Sequence, residues 1–194
     1  MLAPNFDTSA REVAIRLAQE EIQRKPVYLD TETTGLEKFD QIVEICVLDS
    51  DGSVLVDSLV KPTSRIPAGV TKLHGITDEM VKDKPTWPEI WPTVQAALAG
   101  RHVAIYSADY DVRVMKQSHH HHAMRWKLKG ANFFCIMKLY AQFRGEWDDD
   151  RGTYRWHKLV EAGRQCKIEL PNAHRAKADA LLARAVLHHI AENG

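Results

Sequence analysis

Val27-Tyr28-Leu29-Asp30-Thr31-Glu32-Thr33-Thr34-Gly35-Leu36 is the stretch of this 194-residue chain that decides its fold. Three apolar residues of strand type run directly into two acids. Residues i and i+2 of a strand point to the same face, so Asp30 and Glu32 are expected to project together at a strand end. Two such carboxylates repel each other, and a bound divalent cation such as Mg²⁺ or Mn²⁺ removes that penalty. The plain alternative is a pair of exposed acids without a metal.

Further apolar runs predict the rest of a sheet. Residues 41–48 and 54–60 are rich in Val, Ile and Leu, and Asp51-Gly52 lies in the segment between them, which is typical of a hairpin. Together with the first strand they predict an antiparallel meander. A fourth strand is predicted at 103–106 and a fifth at 133–136, although the last segment is nearly as consistent with a helix.

Helical patterns surround these strands. They cover residues 9–23, beginning with a capping box at Ser9 and Glu12, and residues 77–81, 88–99, 111–117, 157–163 and 175–190. The polar stretch 144–154 is expected to be a surface loop. We therefore predict one α/β domain over residues 1–194, with a mixed five-stranded sheet flanked by helices and a helical N-terminal extension over residues 1–25.

Two later segments carry further acids. Tyr106-Ser107-Ala108-Asp109-Tyr110-Asp111 follows the fourth strand and opens a helix. Asp111 is favoured to face the first pair, and Asp109 would do so if the strand ran one register longer. His174-Arg175-Ala176-Lys177-Ala178-Asp179 leads into the last helix. We expect His174 to lie in the loop before that helix, from where its side chain can act as a general base beside Asp179.

The motifs together resemble those of the DnaQ-like, DEDDh-type 3′-to-5′ exonucleases, a family that includes the proofreading subunit of bacterial replicative polymerase and RNase T. The resemblance rests on Asp30-x-Glu32, Tyr106-x-x-x-Tyr110-Asp111, His174-x4-Asp179 and Leu73-His74-Gly75-Ile76-Thr77. It spans residues 27–190. The second motif departs from the family pattern, because Ser107 stands where Asn is usual and Tyr110 where Phe is usual.

This resemblance implies a ribonuclease H-like fold and a set of functional residues. Asp30, Glu32, Asp111 and Asp179 would hold two Mg²⁺ ions, for which Mn²⁺ can substitute, at about 3.5–4 Å from each other in the general two-metal scheme. His174 would take a proton from the attacking water. The pocket for the terminal nucleotide would be lined by Thr33, Gly35, Leu36 and His74. The expected products are nucleoside 5′-monophosphates.

The leading hypothesis is an exonuclease that degrades single-stranded DNA or the frayed 3′ end of a duplex. An enzyme of the same fold directed at RNA is the first alternative, because nothing in the sequence measures a preference for the 2′-hydroxyl. A non-catalytic nucleic-acid-binding or polymerase-associated module is the second. A homodimer is compatible with the resemblance, and polymerase association stays open, although we lean toward a free-standing enzyme.

Charge and composition fit these hypotheses without deciding between them. The chain has 26 Lys and Arg against 26 Asp and Glu, but residues 1–100 sum to −6 and residues 101–194 to +6. An acidic centre beside a basic surface suits an enzyme that acts on a phosphate backbone. Three widely spaced cysteines, no secretory leader and no long apolar run predict a cytoplasmic protein without a membrane span.

Several other residues have both a possible functional role and a plain structural one. The tract His119–His122 is expected to be a solvated basic loop near the phosphate backbone in preference to a transition-metal site. Trp126, Trp147 and Trp156 could stack on bases, but a core position is favoured for each of them, as it is for the two tryptophans at 87 and 91. Cys46 is expected to be buried, and Asp148–Asp150 to form a hydrated turn.

Overall fold

The computed structural model describes residues 8–168 and 174–193. The strands are β1 (Val27–Thr33), β2 (Ile42–Leu48), β3 (Val54–Leu59), β4 (His102–Ile105), β5 (Asn132–Cys135), β6 (Trp147–Asp148) and β7 (Thr153–Tyr154). The helices are α1 (Thr8–Gln23), α2 (Ala68–His74), α3 (Asp78–Val81), α4 (Trp87–Leu98), α5 (Ala108–His121), α6 (Ile136–Arg144), α7 (Leu159–Gln165) and α8 (Ala176–Glu192).

Five strands form one mixed sheet in the order β3-β2-β1-β4-β5. The first three are antiparallel neighbours, as the sequence predicts, and β4 and β5 run parallel to β1. The carboxyl ends of β1, β4 and β5 therefore lie at the same edge of the sheet. This edge is where the acidic motifs are expected to meet.

Helices cover both faces of the sheet, and two apolar clusters fill the space between them. On one face, Tyr28 and Cys46 pack against α1, α6 and α8. On the other face, Leu29 and Ile45 pack against α4 and α5. Because side chains alternate along a strand, β1 sends its even-numbered residues toward α8 and its odd-numbered residues toward α5. The predicted burial of Cys46 is confirmed.

Most predicted elements are present, with shifted ends. The short helix capped by Thr77 is confirmed, since the Thr77 hydroxyl accepts from the Met80 backbone N–H. The capping box at Ser9 is wrong, because α1 already includes Thr8 and Ser9 lies inside the helix. Helices α2 and α6 were missed. Each ends at a glycine with a left-handed backbone, Gly75 and Gly145, where a side chain would be strained.

The histidine tract is not a loop. Residues 119–121 form the last turn of α5, and His119 is buried among Trp87, Trp91 and Trp126. The Trp87 indole N–H donates to the His119 Nδ1 over 3.0 Å. The prediction was wrong because successive residues of a helix face different directions. Four identical histidines can therefore have different environments, and the sequence does not show which of them is buried.

The stretch 144–154 is also more ordered than predicted. It contains the two-stranded ribbon β6–β7, with the acids at 149 and 150 in its turn, as expected for a hydrated turn. Trp147 and Trp156 are half exposed, so the preference for core positions is wrong for these two. Trp87 and Trp91 are buried as predicted, and Trp126 stacks on Trp91.

Within the described residues, no helix is both long and apolar enough to cross a membrane.

Candidate active site

Strand β1 delivers two carboxylates to the edge of the sheet. Asp30 and Glu32 project from the same face, where the first turn of α8 brings Asp179 next to them. One carboxylate oxygen from each of the three residues lies within 4.8 Å of the other two. The side-chain period of a strand and the position of α8 therefore create a cluster of three acids.

Asp111 approaches the same edge from the opposite face. It lies in the first turn of α5, is 3% exposed, and accepts a 2.7 Å hydrogen bond from the Thr31 hydroxyl. Its charge raises the pKa of Asp30, although Asp111 is not part of the 4.8 Å cluster of Asp30, Glu32 and Asp179. Asp109 points away instead, to an exposed ion pair with Lys138 at 2.6 Å. Of the two candidates in this segment, the structure brings Asp111 to the other acids.

The four carboxylates resist ionisation together. Burial, and then the charges of Asp111, Asp179, Glu32 and Glu44, raise the pKa of Asp30 well above its ordinary value. Burial and the neighbouring acids raise the pKa of Glu32 to about 8. Burial raises the pKa of Asp111 to about 7 against the Thr31 hydrogen bond, and burial also raises that of Asp179. Such a cluster lacks its counter-charge, and a cation supplies one.

The donor set fits hard divalent cations. The clustered atoms of Asp30, Glu32 and Asp179 are all carboxylate oxygens, and the buried Asp111 lies beside them. Oxygen-only ligands suit Mg²⁺ and Mn²⁺, whereas zinc and copper favour nitrogen and sulfur. The residues present therefore fit the metals that the sequence predicts.

His174 lies in the segment just before α8, as predicted. Its backbone φ of 68° is left-handed, which is uncommon for a residue with a side chain. This conformation directs its backbone N–H toward both carboxylate oxygens of Asp179, each at 3.3 Å. The backbone of His174 is thus hydrogen-bonded to Asp179, one of the clustered acids.

Sequence reasoning missed a fifth acid, Glu44. It stands opposite Glu32 in the β1–β2 register and is buried in a strand of otherwise apolar residues. Its carboxylate accepts from the Arg175 guanidinium, with the shortest contact at 2.5 Å, and from the Ala176 backbone N–H at 2.9 Å. Because Arg175 and the start of α8 neutralise it, Glu44 holds the helix in place. The signal was available, since a lone acid inside a buried strand requires a partner.

We expect Arg175→Gln to lower the free energy of unfolding by about 3 kcal/mol, because it leaves Glu44 buried without its cation. The measurement is urea unfolding in EDTA, which keeps metal binding out of the comparison. The double variant Glu44→Gln/Arg175→Gln should regain most of the loss, since its amide oxygen can still accept from Ala176. If the double variant is no more stable than Arg175→Gln, the loss of stability does not come from an unpaired Glu44 carboxylate.

A loop after β1 forms one wall of the site. The Tyr110 hydroxyl contacts the Gly35 carbonyl at 2.8 Å and the Thr33 hydroxyl at 2.6 Å. Asp40 accepts from the Thr34 hydroxyl, and a Cβ added to Gly35 would lie 2.7 Å from the Asp40 carboxylate. A side chain at residue 35 would therefore displace the Asp40 carboxylate from its hydrogen bond with Thr34. Leu36 is 73% exposed at the tip.

His74 is buried and fixed through both ring nitrogens. Its Nδ1 accepts from the Ile76 backbone N–H at 3.0 Å, so the ring proton is on Nε2, which donates to the Thr33 carbonyl at 3.2 Å. Burial lowers the pKa of His74, in keeping with a neutral ring. The structure thus ties the predicted residue His74 to the end of β1.

Comparison with known proteins shows the family of this chain. The exonuclease family model RNase T matches residues 27–187. An uncharacterized exonuclease, CP81, of Escherichia phage 186 is 41% identical over 87% of this chain and 89% of its own. DNA polymerase III subunit epsilon of Treponema pallidum is 28% identical over 85% of this chain and 78% of its own.

Solved structures agree. Exonuclease X, in complex with 5′ overhanging duplex DNA, has a TM-score of 0.63 and 26% identity over 84% of this chain and 89% of its own. The nuclease domain of 3′hExo, a DEDDh family member bound to rAMP, has a TM-score of 0.69 at 14% identity, covering 88% and 93%. Pop2p of S. pombe, with Mg²⁺ and Mn²⁺ bound, has a TM-score of 0.65 at 13% identity, covering 95% and 90%. These confirm the predicted ribonuclease H-like fold, and the chain belongs to the RNase T exonuclease family.

Proposed function

We propose that this enzyme removes nucleoside 5′-monophosphates from single-stranded or frayed 3′ ends of DNA, using two divalent ions and a histidine base. The observation that carries the proposal is the convergence of Asp30, Glu32 and Asp179, with Asp111 beside them, at one edge of the sheet. Four acids with raised pKa values in one place destabilise the folded protein when they ionise. Such a cluster is expected where the acids bind cations for a reaction.

In this proposal the carboxylates of Asp30, Glu32, Asp111 and Asp179 hold two Mg²⁺ ions. When bound, such ions activate a water molecule and stabilise the leaving 3′ oxygen of a phosphodiester. Thr31 keeps Asp111 in position through its hydroxyl, and the first turns of α5 and α8 favour the negative charges they carry. The chain thus fixes its ligands from three elements before any substrate arrives.

His174 takes the proton of the attacking water on an imidazole nitrogen. Its backbone N–H contacts the Asp179 carboxylate, and its side chain is close enough to oppose the rise that burial causes in the pKa of Asp179. A histidine beside the acids can accept a proton and release it to solvent. This proximity supports the base role proposed for His174.

The terminal nucleotide is assigned to the wall formed by Thr33, Gly35, Leu36 and His74. Gly35 lets the backbone come close to a sugar or base, and the exposed Leu36 offers an apolar surface at the tip. His74 acts by fixing the end of β1, because both of its nitrogens are engaged by backbone groups. It is therefore a positioning residue in this proposal.

DNA is proposed as the substrate because Exonuclease X, at 26% identity, was solved with a DNA duplex. The Treponema relative is a polymerase subunit, and polymerase association of this chain stays a proposal, as do a homodimer and a cytoplasmic location. The experiment is digestion of matched 5′-labelled DNA and RNA strands, and of duplex DNA, with Mg²⁺, followed by product sizing. Stepwise shortening of DNA with release of 5′-monophosphates supports the proposal. Preferential shortening of RNA would favour the RNA-directed alternative, and binding without cleavage the non-catalytic one.

We expect the stabilisation by Mg²⁺ to grow as pH rises from about 6 to 8.5. The raised pKa values of Glu32, Asp30 and Asp111 mean that the folded, metal-free protein binds more protons than the unfolded chain, so its stability falls as pH rises toward their folded pKa values. Mg²⁺ competes with those protons and removes the penalty. The measurement is the Tm in Mg²⁺ minus the Tm in EDTA at each pH. Histidines elsewhere in the protein contribute equally to both Tm values, so their contribution cancels in the difference. A difference that stays constant with pH would contradict the shifts.

A further inference from the structure

A second concave surface lies across α5 from the acidic cluster. It is a groove of about 910 Å³ between the loop after β1, the outer face of α5 and the edge strand β5. Its floor includes Val112 and Phe133, and Phe39, 66% exposed, stands at its rim. Apolar and aromatic groups of this kind are surfaces on which bases can stack.

Cations border this groove. Lys38, Arg113, Lys116 and Lys138 all line it and are exposed. Among the residues that line it, Asp109 is the one acid, and Lys138 already neutralises it at 2.6 Å. The whole chain has no net charge, so this concentration of positive charge is local and matches a polyanion.

A smaller cavity extends the groove to Tyr110, which borders the site. That cavity, about 360 Å³, is lined by Tyr110 and Trp156 and shares Asp109, Arg113 and Cys135 with the groove. Tyr110 is the residue whose hydroxyl contacts the Gly35 carbonyl beside the acids. Trp156 is 50% exposed, which leaves a ring face open to solvent. The two cavities thus offer a strand a path from Tyr110, at the wall of the site, past Trp156 into the groove.

We propose that the groove between α5 and β5 binds the 5′-ward part of the substrate strand, with phosphates on Lys38, Arg113 and Lys116 and a base on Trp156. This inference rests on the proposed function and adds to it a track for the strand outside the terminal-nucleotide pocket. Arg113 and Lys116 lie on successive turns of α5, which gives neighbouring phosphates a row of cations. From residue 109 to residue 121 the helix is about 18 Å long, which is long enough to contact several successive nucleotides.

The test compares two double variants. Lys38→Ala/Lys116→Ala removes two cations of the groove, and Lys82→Ala/Lys84→Ala removes two exposed lysines near the far edge of the sheet, where Lys61 contacts Pro85 at the end of β3. Affinity for a 12-nucleotide single strand is measured in EDTA, so that no cleavage occurs. Each phosphate contact on a single strand contributes about 0.7 to the salt slope, so the groove variant should bind about 25-fold more weakly at 0.1 M salt, with a slope smaller by about 1.4. The control should bind as the wild type does.

A matched pair of tryptophans tests the stacking. Trp156→Ala should weaken binding of the 12-mer at least fivefold, whereas Trp147→Ala, equally exposed but outside both cavities, should not. Hydrolysis of a dinucleotide with Mg²⁺ should be unchanged in the two groove variants. If they bind the 12-mer like their controls, the groove serves another partner and the inference is overturned. If wild type binds the strand but cleaves nothing, the proposed function fails while the groove stands.

Discussion

Asp111→Asn is expected to abolish Mg²⁺-dependent cleavage and at the same time to stabilise the metal-free protein. The amide keeps an oxygen that can accept from the Thr31 hydroxyl, so the local geometry survives. The substitution removes one of the four proposed carboxylate ligands. Loss of several kcal/mol of transition-state stabilisation corresponds to at least about a 1,000-fold fall in kcat.

The stabilisation follows from the electrostatics of the same residue. Burial raises the pKa of Asp111 to about 7, and its charge raises the pKa of Asp30. At pH 8 the neutral amide removes this penalty, by about 2–4 kcal/mol, which corresponds to a Tm higher by roughly 5 °C or more in EDTA. Activity and stability should therefore change in opposite directions, which an ordinary disruptive substitution does not produce.

Asp109→Asn is the matched control for this prediction. Asp109 is exposed and paired with Lys138, and it lies two residues from Asp111 on the same helix. We expect cleavage of a dinucleotide within about twofold of wild type and an unchanged Tm, since an exposed ion pair contributes little. If Asp109→Asn were inactive and Asp111→Asn active, the assignment of the second motif would be reversed.

His174→Asn should lower kcat by about 10²- to 10⁴-fold, the usual contribution of a general base. Asparagine tolerates the left-handed backbone that His174 adopts, and its backbone N–H can still donate to Asp179. We therefore expect the affinity for Mn²⁺ and the KM to stay near their wild-type values. Steady-state kinetics together with a Mn²⁺ titration measures both.

The control for this variant is His122→Asn, which changes a histidine at the end of α5 away from the acids. Its kcat should match that of the wild type. A kcat of His174→Asn within about fivefold of wild type would remove the base from the mechanism. A parallel loss of Mn²⁺ binding would instead show that His174 acts through the position of Asp179.

The sequence predicts the sheet and the meeting of the acids because both depend on short-range rules. Asp30 and Glu32 share a face through the two-residue period of a strand, and the parallel strands β1 and β4 bring Asp111 to the same edge. The sequence favours Asp111 but leaves Asp109 as a competitor, because the choice depends on where β4 ends and α5 begins. The structure begins that helix at Ala108 and so turns Asp111 inward.

Features that depend on tertiary contacts were not predicted from the sequence. The pairing of Glu44 with Arg175 joins residues 131 apart in sequence, and no local pattern specifies it. The burial of His119 depends on the tryptophans at 87 and 91 that surround it, and the groove beside α5 depends on how the loop after β1 returns along that helix. In each case the residue types were visible, but their neighbours were not.

Crystals of the protein soaked in Mn²⁺ would show whether the four acids bind metal, because the anomalous signal locates the ions without reference to activity. We expect two Mn²⁺ sites coordinated by Asp30, Glu32, Asp111 and Asp179. Crystals at saturating Mn²⁺ with no anomalous peak among these four carboxylates would contradict this expectation.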